Sequence, residues 1–212
     1  METCLWVEAG ARLVLQVHYD TLGVRVGPDR SVVELRLANE VDAGVVGLPW
    51  FDARWPTDAG AMRIPGGEAR VAHTFSARLA DGPGEVGPWM DPAAGIDVHA
   101  VLPHLLRLGT RIELAIERAE GTSEPLVRID RWDPAWQSRY TFARPVRVGP
   151  EDRLHLRCEW DNSFENQPVV NGLRRRPADV GWGEGYYGEM CAVMLYATEA
   201  ADPPGHAGPS TD

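Results

Sequence analysis

Arg153-Leu154-His155-Leu156-Arg157-Cys158-Glu159-Trp160 alternates polar and apolar side chains without a break. That is the period of two of a β-strand, whose successive side chains point to opposite faces. The same alternation recurs in short blocks at residues 12–19, 31–37, 69–79, 95–102, 111–117, 125–130, 138–142 and 191–197. Turn-forming pieces separate them, among them Gly27-Pro28-Asp29, Pro65-Gly66-Gly67, Asp81-Gly82-Pro83-Gly84 and Gly149-Pro150-Glu151-Asp152. Strands at this spacing, with no sustained helical period between them, predict an all-β protein, an antiparallel β-sandwich or jelly roll. Residues 102–108 look helical for a moment, but Pro103 and Gly109 bracket them too closely.

Composition agrees with this reading. The 22 glycines and 17 prolines favour turns over long helices. A chain of 212 residues, 44% hydrophobic, is long enough for a real core in one large domain or two small ones. Its eight tryptophans suit broad aromatic faces packed inside a sandwich. The formal charge of −10 makes nucleic acid an unsuitable partner. Arg174-Arg175-Arg176 is the only basic cluster, in a Pro/Gly-bounded loop where arginines are usually solvated. No apolar run approaches the length of a membrane span.

Three cysteines allow one bridge and one leftover. Cys158 and Cys191 lie in strand-like blocks and form the candidate pair, with Cys4 the odd one out. Closing a loop of that size stabilises a fold by roughly 3–4 kcal/mol on the chain-entropy estimate. A bridge implies an oxidising, extracytoplasmic setting. Yet Met1-Glu2-Thr3-Cys4 opens acidic, and the apolar stretch at 12–19 is too short and polar for a secretory leader, which leaves a cytoplasmic setting open. A true start further upstream reconciles the two.

Of six histidines, His73 and His155 sit mid-strand and His206 near the C-terminus, where isolated histidines are ordinarily structural. His18 and His104 differ in their surroundings, Leu15-Gln16-Val17-His18-Tyr19-Asp20 and Leu102-Pro103-His104-Leu105-Leu106-Arg107-Leu108-Gly109. Met190, in Tyr186-Tyr187-Gly188-Glu189-Met190-Cys191, places a soft thioether beside the candidate bridge. Such a sulfur on a rigid β scaffold suits copper, although most methionines simply fill cores. Glu184 and Glu189 are expected to hydrogen-bond loops and not to act in acid–base chemistry. No Ser/His/Asp triad, Cys-x-x-Cys zinc pattern or phosphate loop is present.

Four stretches, taken in order, resemble the C-terminal half of the copper type II, ascorbate-dependent monooxygenases, the family of peptidylglycine α-hydroxylating monooxygenase and dopamine β-monooxygenase. Leu13-Val14-Leu15-Gln16-Val17-His18-Tyr19 is similar to the strand that ends the family's N-terminal domain. Asp42-Ala43-Gly44-Val45-Val46-Gly47, followed by Ile64-Pro65-Gly66-Gly67-Glu68, is similar to the opening of its C-terminal domain. Residues 103–109 resemble the Pro-His-Met-His-Leu-Leu-Gly turn of bacterial members. Trp132-Asp133-Pro134-Ala135-Trp136-Gln137, Trp160-Asp161-Asn162-Ser163, and Gly181-Trp182-Gly183-Glu184-Gly185 up to Glu189-Met190-Cys191 complete the series.

The resemblance implies an enzyme that hydroxylates a C–H bond with dioxygen, using ascorbate as reductant and one copper in each of two domains. His104 and Met190 match ligands of the substrate-side copper, and His18 matches a ligand of the electron-transfer copper. Cys158 and Cys191 match a family disulfide that would fix Met190. Three departures follow. The family's paired histidines stand at i and i+2, on one face of a strand, and here the second position is Leu106. His99, at an odd spacing from His104, could substitute only if a bulge near Pro103 changed the parity. The acidic residue usual two before the methionine is Gly188. On the same resemblance, residues 1–40 are expected to hold only the last strand of the N-terminal copper domain and a linker.

The expectation is therefore a β-sandwich over residues 41–198, followed by a disordered tail at 199–212. It reads as the substrate-side half of a copper monooxygenase, weak or inactive alone and dependent on an N-terminal copper domain supplied elsewhere. Its small-molecule or peptide substrate is unread. The alternative is a non-catalytic binding module whose cleft is lined by Trp160, Tyr186 and Tyr187. A copper storage or delivery module is a third, thinner reading.

Overall fold

The computed structural model describes residues 3–5, 7, 9–15, 17, 19, 27–40, 43–58, 60–82, 91, 93–170, 172–185 and 187–200. The strands in these residues are β1 (Thr3–Leu5), β2 (Ala43–Trp50), β3 (Val71–Arg78), β4 (Ile96–Leu105), β5 (Gly109–Glu117), β6 (Ser123–Ile129), β7 (Tyr140–Val148), β8 (Arg153–Trp160), β9 (Val169–Val170), β10 (Leu173–Arg174) and β11 (Cys191–Glu199). They form a five-stranded sheet in the order β1-β2-β11-β4-β7 and a four-stranded sheet in the order β3-β8-β5-β6. β9 and β10 make a separate hairpin. All pairings are antiparallel except β1 with β2.

The two large sheets pack face to face as a β-sandwich, and the alternating sequence supplies the core. On β8, Leu154, Leu156, Cys158 and Trp160 are buried while Arg153 is exposed and His155, Arg157 and Glu159 are half-buried. On β11 the inward set is Cys191, Val193, Leu195 and Ala197. Each fully buried aliphatic side chain contributes about 1.5–3 kcal/mol relative to exposure. Cys158 and Cys191 form a disulfide with a Cα–Cα distance of 6.0 Å. It joins β8 to β11, interior strands of opposite sheets.

Two expected strands are not seen among the described residues of their blocks. Among residues 12–19 and 31–37, those described are irregular and exposed. Alternation alone stabilises nothing without a ladder partner and a buried face. Conversely β2, rich in Gly and Pro, shows no alternating block, yet it pairs with β11 along Val46–Trp50. Four prolines sit within strands where one side has no neighbour, the position that tolerates a missing N–H, and Pro125 is one of them, on the edge strand β6. Pro145 is on the edge strand β7. Pro49 lies beyond the β1 pairing, which ends at Val45. Pro103 lies beyond the β7 pairing, which ends at Val101, so β4 runs on to Leu105.

Candidate functional site

The β4–β11 register decides which side chains share a face. Leu105 pairs with Cys191 and His104 with Ala192. Leu105 and Cys191 are fully buried between the sheets, so His104 and Ala192 point to the outer face. Leu106 and Met190 each lie one residue beyond this ladder, next to the paired Leu105 and Cys191. His104, Leu106 and Met190 are all half-buried.

The His104 ring is oriented by Gln137. Nδ1 of His104 is 2.6 Å from Gln137 Oε1, and Gln137 Nε2 donates to the Pro134 carbonyl at 3.1 Å. Because the amide nitrogen is committed to a carbonyl, the oxygen faces the ring and accepts from it. A neutral His104 thus carries its proton on Nδ1 and keeps its lone pair on Nε2. This is the arrangement in which metal-ligating histidines are commonly held. Gln137 comes from a turn in which Asp133 accepts the amides of Ala135 through its side chain and Trp136 through its backbone, both at 2.9 Å.

The turn between β4 and β5 is gripped from both sides. Trp132 Nε1 donates to the Leu106 carbonyl at 3.2 Å. From the interior, Glu189 accepts the Leu106 amide at 3.1 Å, the Leu108 amide at 2.7 Å and the Trp160 indole at 3.0 Å. Glu189 is 1% exposed. Burial outweighs these hydrogen bonds and raises its pKa from the usual carboxylate range to about 7. Glu189 thus fixes loop backbone. Leu106 is held by its backbone, and its side chain has no donor atom.

His99 is no substitute for it. A bulge does occur, with Ala100 opposite Tyr196 and Val98 opposite Ala197, so that His99 is the extra residue. The bulge lies at His99 and not near Pro103. His99 bonds Thr198 Oγ1 at 3.0 Å, five residues from His104, or about 16 Å along an extended strand. Trp160, expected on a cleft wall, is fully buried. Tyr187 is exposed, with Arg175 over its ring at 3.8 Å. His18 and Tyr186 lie outside the described residues. His73 bonds the Arg63 carbonyl at 2.9 Å, and His155 lies 3.6 Å from Glu117.

The glycine at 188 has a steric cause. A Cβ there would lie 2.3 Å from the Gly183 carbonyl oxygen, so this loop excludes any side chain, acidic ones included. Among the described residues no group of three or more His, Cys, Asp or Glu converges as a metal site. His104 and Met190 amount to one imidazole and one thioether, a donor set one short of the two nitrogens and one sulfur that the sequence resemblance implies.

Residues 88–200, just over half of the chain, match the family model described as copper type II ascorbate-dependent monooxygenase, C-terminal domain. The matched span includes His104, Leu106, Gln137, Glu189, Met190 and both bridged cysteines. No curated protein matches the chain.

Proposed function

This chain belongs to the copper type II ascorbate-dependent monooxygenases as a C-terminal domain of that family, and on that premise we propose that it is a substrate-side half that holds one Cu(I) weakly through His104 and Met190. Bound copper would supply the redox centre for C–H hydroxylation with dioxygen and ascorbate. With Leu106 in the third position, turnover by the chain alone is weak or absent. The preset His104 ring, with Nδ1 engaged by Gln137, is the observation that carries this reading. A third donor would come from water or from a partner, the N-terminal copper domain in which His18 would be a ligand. The Cys158–Cys191 bridge supports an extracytoplasmic setting.

The competing reading is a binding module without copper chemistry. What favours it is Leu106, whose backbone is pinned by Trp132 and Glu189 so that no rotation brings another donor in. Competition titration of the purified chain with Cu(I) separates the two. One Cu(I) per chain, with nitrogen and sulfur scatterers in X-ray absorption, supports the metal site; no binding above the competing buffer overturns it. Leu106→His completes the donor set and should tighten Cu(I) on the order of a hundredfold if the face is a metal site. An unchanged affinity would favour the binding module.

A further inference from the structure

At the end of the sandwich, behind the outer face, lies a cavity of about 50 Å³ between the β4–β5 turn, the loop after β8 and the segment after β10. Arg107 and Arg175 line it together with Tyr187, although they come from segments far apart in sequence. We propose that this cavity binds the carboxylate group of a small molecule, gripped by the Arg107 and Arg175 guanidiniums.

Three observations support this. The floor is polar and rigid. Asn162 and Gln167 are 0% and 5% exposed, and Gln167 Nε2 donates to Asn162 Oδ1 at 2.8 Å. Asn162 in turn donates to the carbonyls of Ile64, Pro65 and Ala178, at 3.1, 3.1 and 2.9 Å. A floor already ordered loses little freedom when a ligand arrives. Secondly, the Arg175 guanidinium lies against the Tyr187 ring, and stacking fixes a fork that matches a carboxylate edge-on. Each arginine has five N–H donors, so a contact made within the chain leaves others for a ligand. Thirdly, the nearby acid Asp179 is engaged by Arg63 at 2.7 Å and by the Gly66 amide at 2.9 Å.

The size fits the group. A water needs some 10–15 Å³ of such space, so the cavity has room for a few waters or one carboxylate head, with the remainder of the molecule outside. A doubly charged phosphate suits it less, because the acids Asp179 and Glu189 also line the cavity. Neither His104 nor Met190 lines the cavity, so this site stands independently of copper.

The test is a titration of the full chain with sodium acetate at fixed pH and constant ionic strength, followed by ¹H–¹⁵N NMR. The Trp160 indole N–H, which donates to Glu189 at the cavity, reports on it and also shows that each variant is folded. A saturable shift is expected with acetate, weaker with phosphate and absent with chloride. Arg107→Gln and Arg175→Gln should each weaken acetate about tenfold. Arg175→Lys, which keeps charge but loses the planar fork, should fall between. Arg176→Gln, outside the cavity, should change nothing. A shift that does not saturate, equal sensitivity to Arg176→Gln, or phosphate binding as tightly as acetate would each overturn the proposal.

Discussion

Gln137 accepts the Nδ1 proton of His104 across 2.6 Å, joining a surface turn to a strand 33 residues away. A ring fixed this way presents one nitrogen in one direction, and the fixing group is not itself a ligand. Gln137→Ala should therefore lower Cu(I) affinity about ten- to a hundredfold. Gln137 is exposed, so the change should move folding stability by no more than about 0.5 kcal/mol. Competition titration paired with urea unfolding reads both. Unchanged Cu(I) binding would mean that the metal does not use Nε2 of His104.

The strands that alternate cleanly were legible in the sequence, because burial on one face leaves a period of two. Those that carry prolines were legible only in part. Block 95–102 stops short of Pro103 and 138–142 stops short of Pro145, while the strands run on to Leu105 and Val148. Whether a proline is tolerated depends on which side of the strand is paired, a tertiary fact. Blocks 12–19 and 31–37, irregular in their described residues, show the reverse, since pattern alone cannot report whether a strand finds a partner. The i, i+2 spacing of His104 and Leu106 was readable because it is local. Gln137 was not, because only the fold brings that turn to His104. The bulge at His99 was invisible too, as it arises from mismatch between two strands.

Gly188 is set by contact with Gly183, and restoring an acidic side chain there should be costly. In Gly188→Asp the new Cβ would stand 2.3 Å from a backbone oxygen, which cannot swing away as a flexible side chain can. Backbone must move, and a loss of about 2 kcal/mol or more is expected. Chemical denaturation measures it. A neutral result would show that the loop has room to relax.

The disulfide ties the two sheets close to Met190. Replacing Cys158 and Cys191 together by alanine should cost about 3 kcal/mol or more from the lost loop closure, with a further penalty because both positions are fully buried. Urea unfolding of the double variant under non-reducing conditions tests this. A loss below about 1 kcal/mol would indicate that the core holds the sheets together without the bridge.

Glu189 makes stability depend on pH with a definite sign. Burial raises its folded-state pKa from 4.5 to about 7. The folded chain therefore holds this proton more tightly than the unfolded chain does. The resulting stability is complete below about pH 4.5, is lost as the pH climbs through 7, and is level above that. A shift of this size corresponds to about 3 kcal/mol. Glu189→Gln resembles the protonated form, with one oxygen still available to the Leu106 and Leu108 amides. Its stability should change less over the same interval by that amount. Urea unfolding of both proteins at pH 5, 6, 7 and 8 checks it. Parallel curves for the two would show that Glu189 keeps an ordinary pKa, and hence that water reaches its carboxylate.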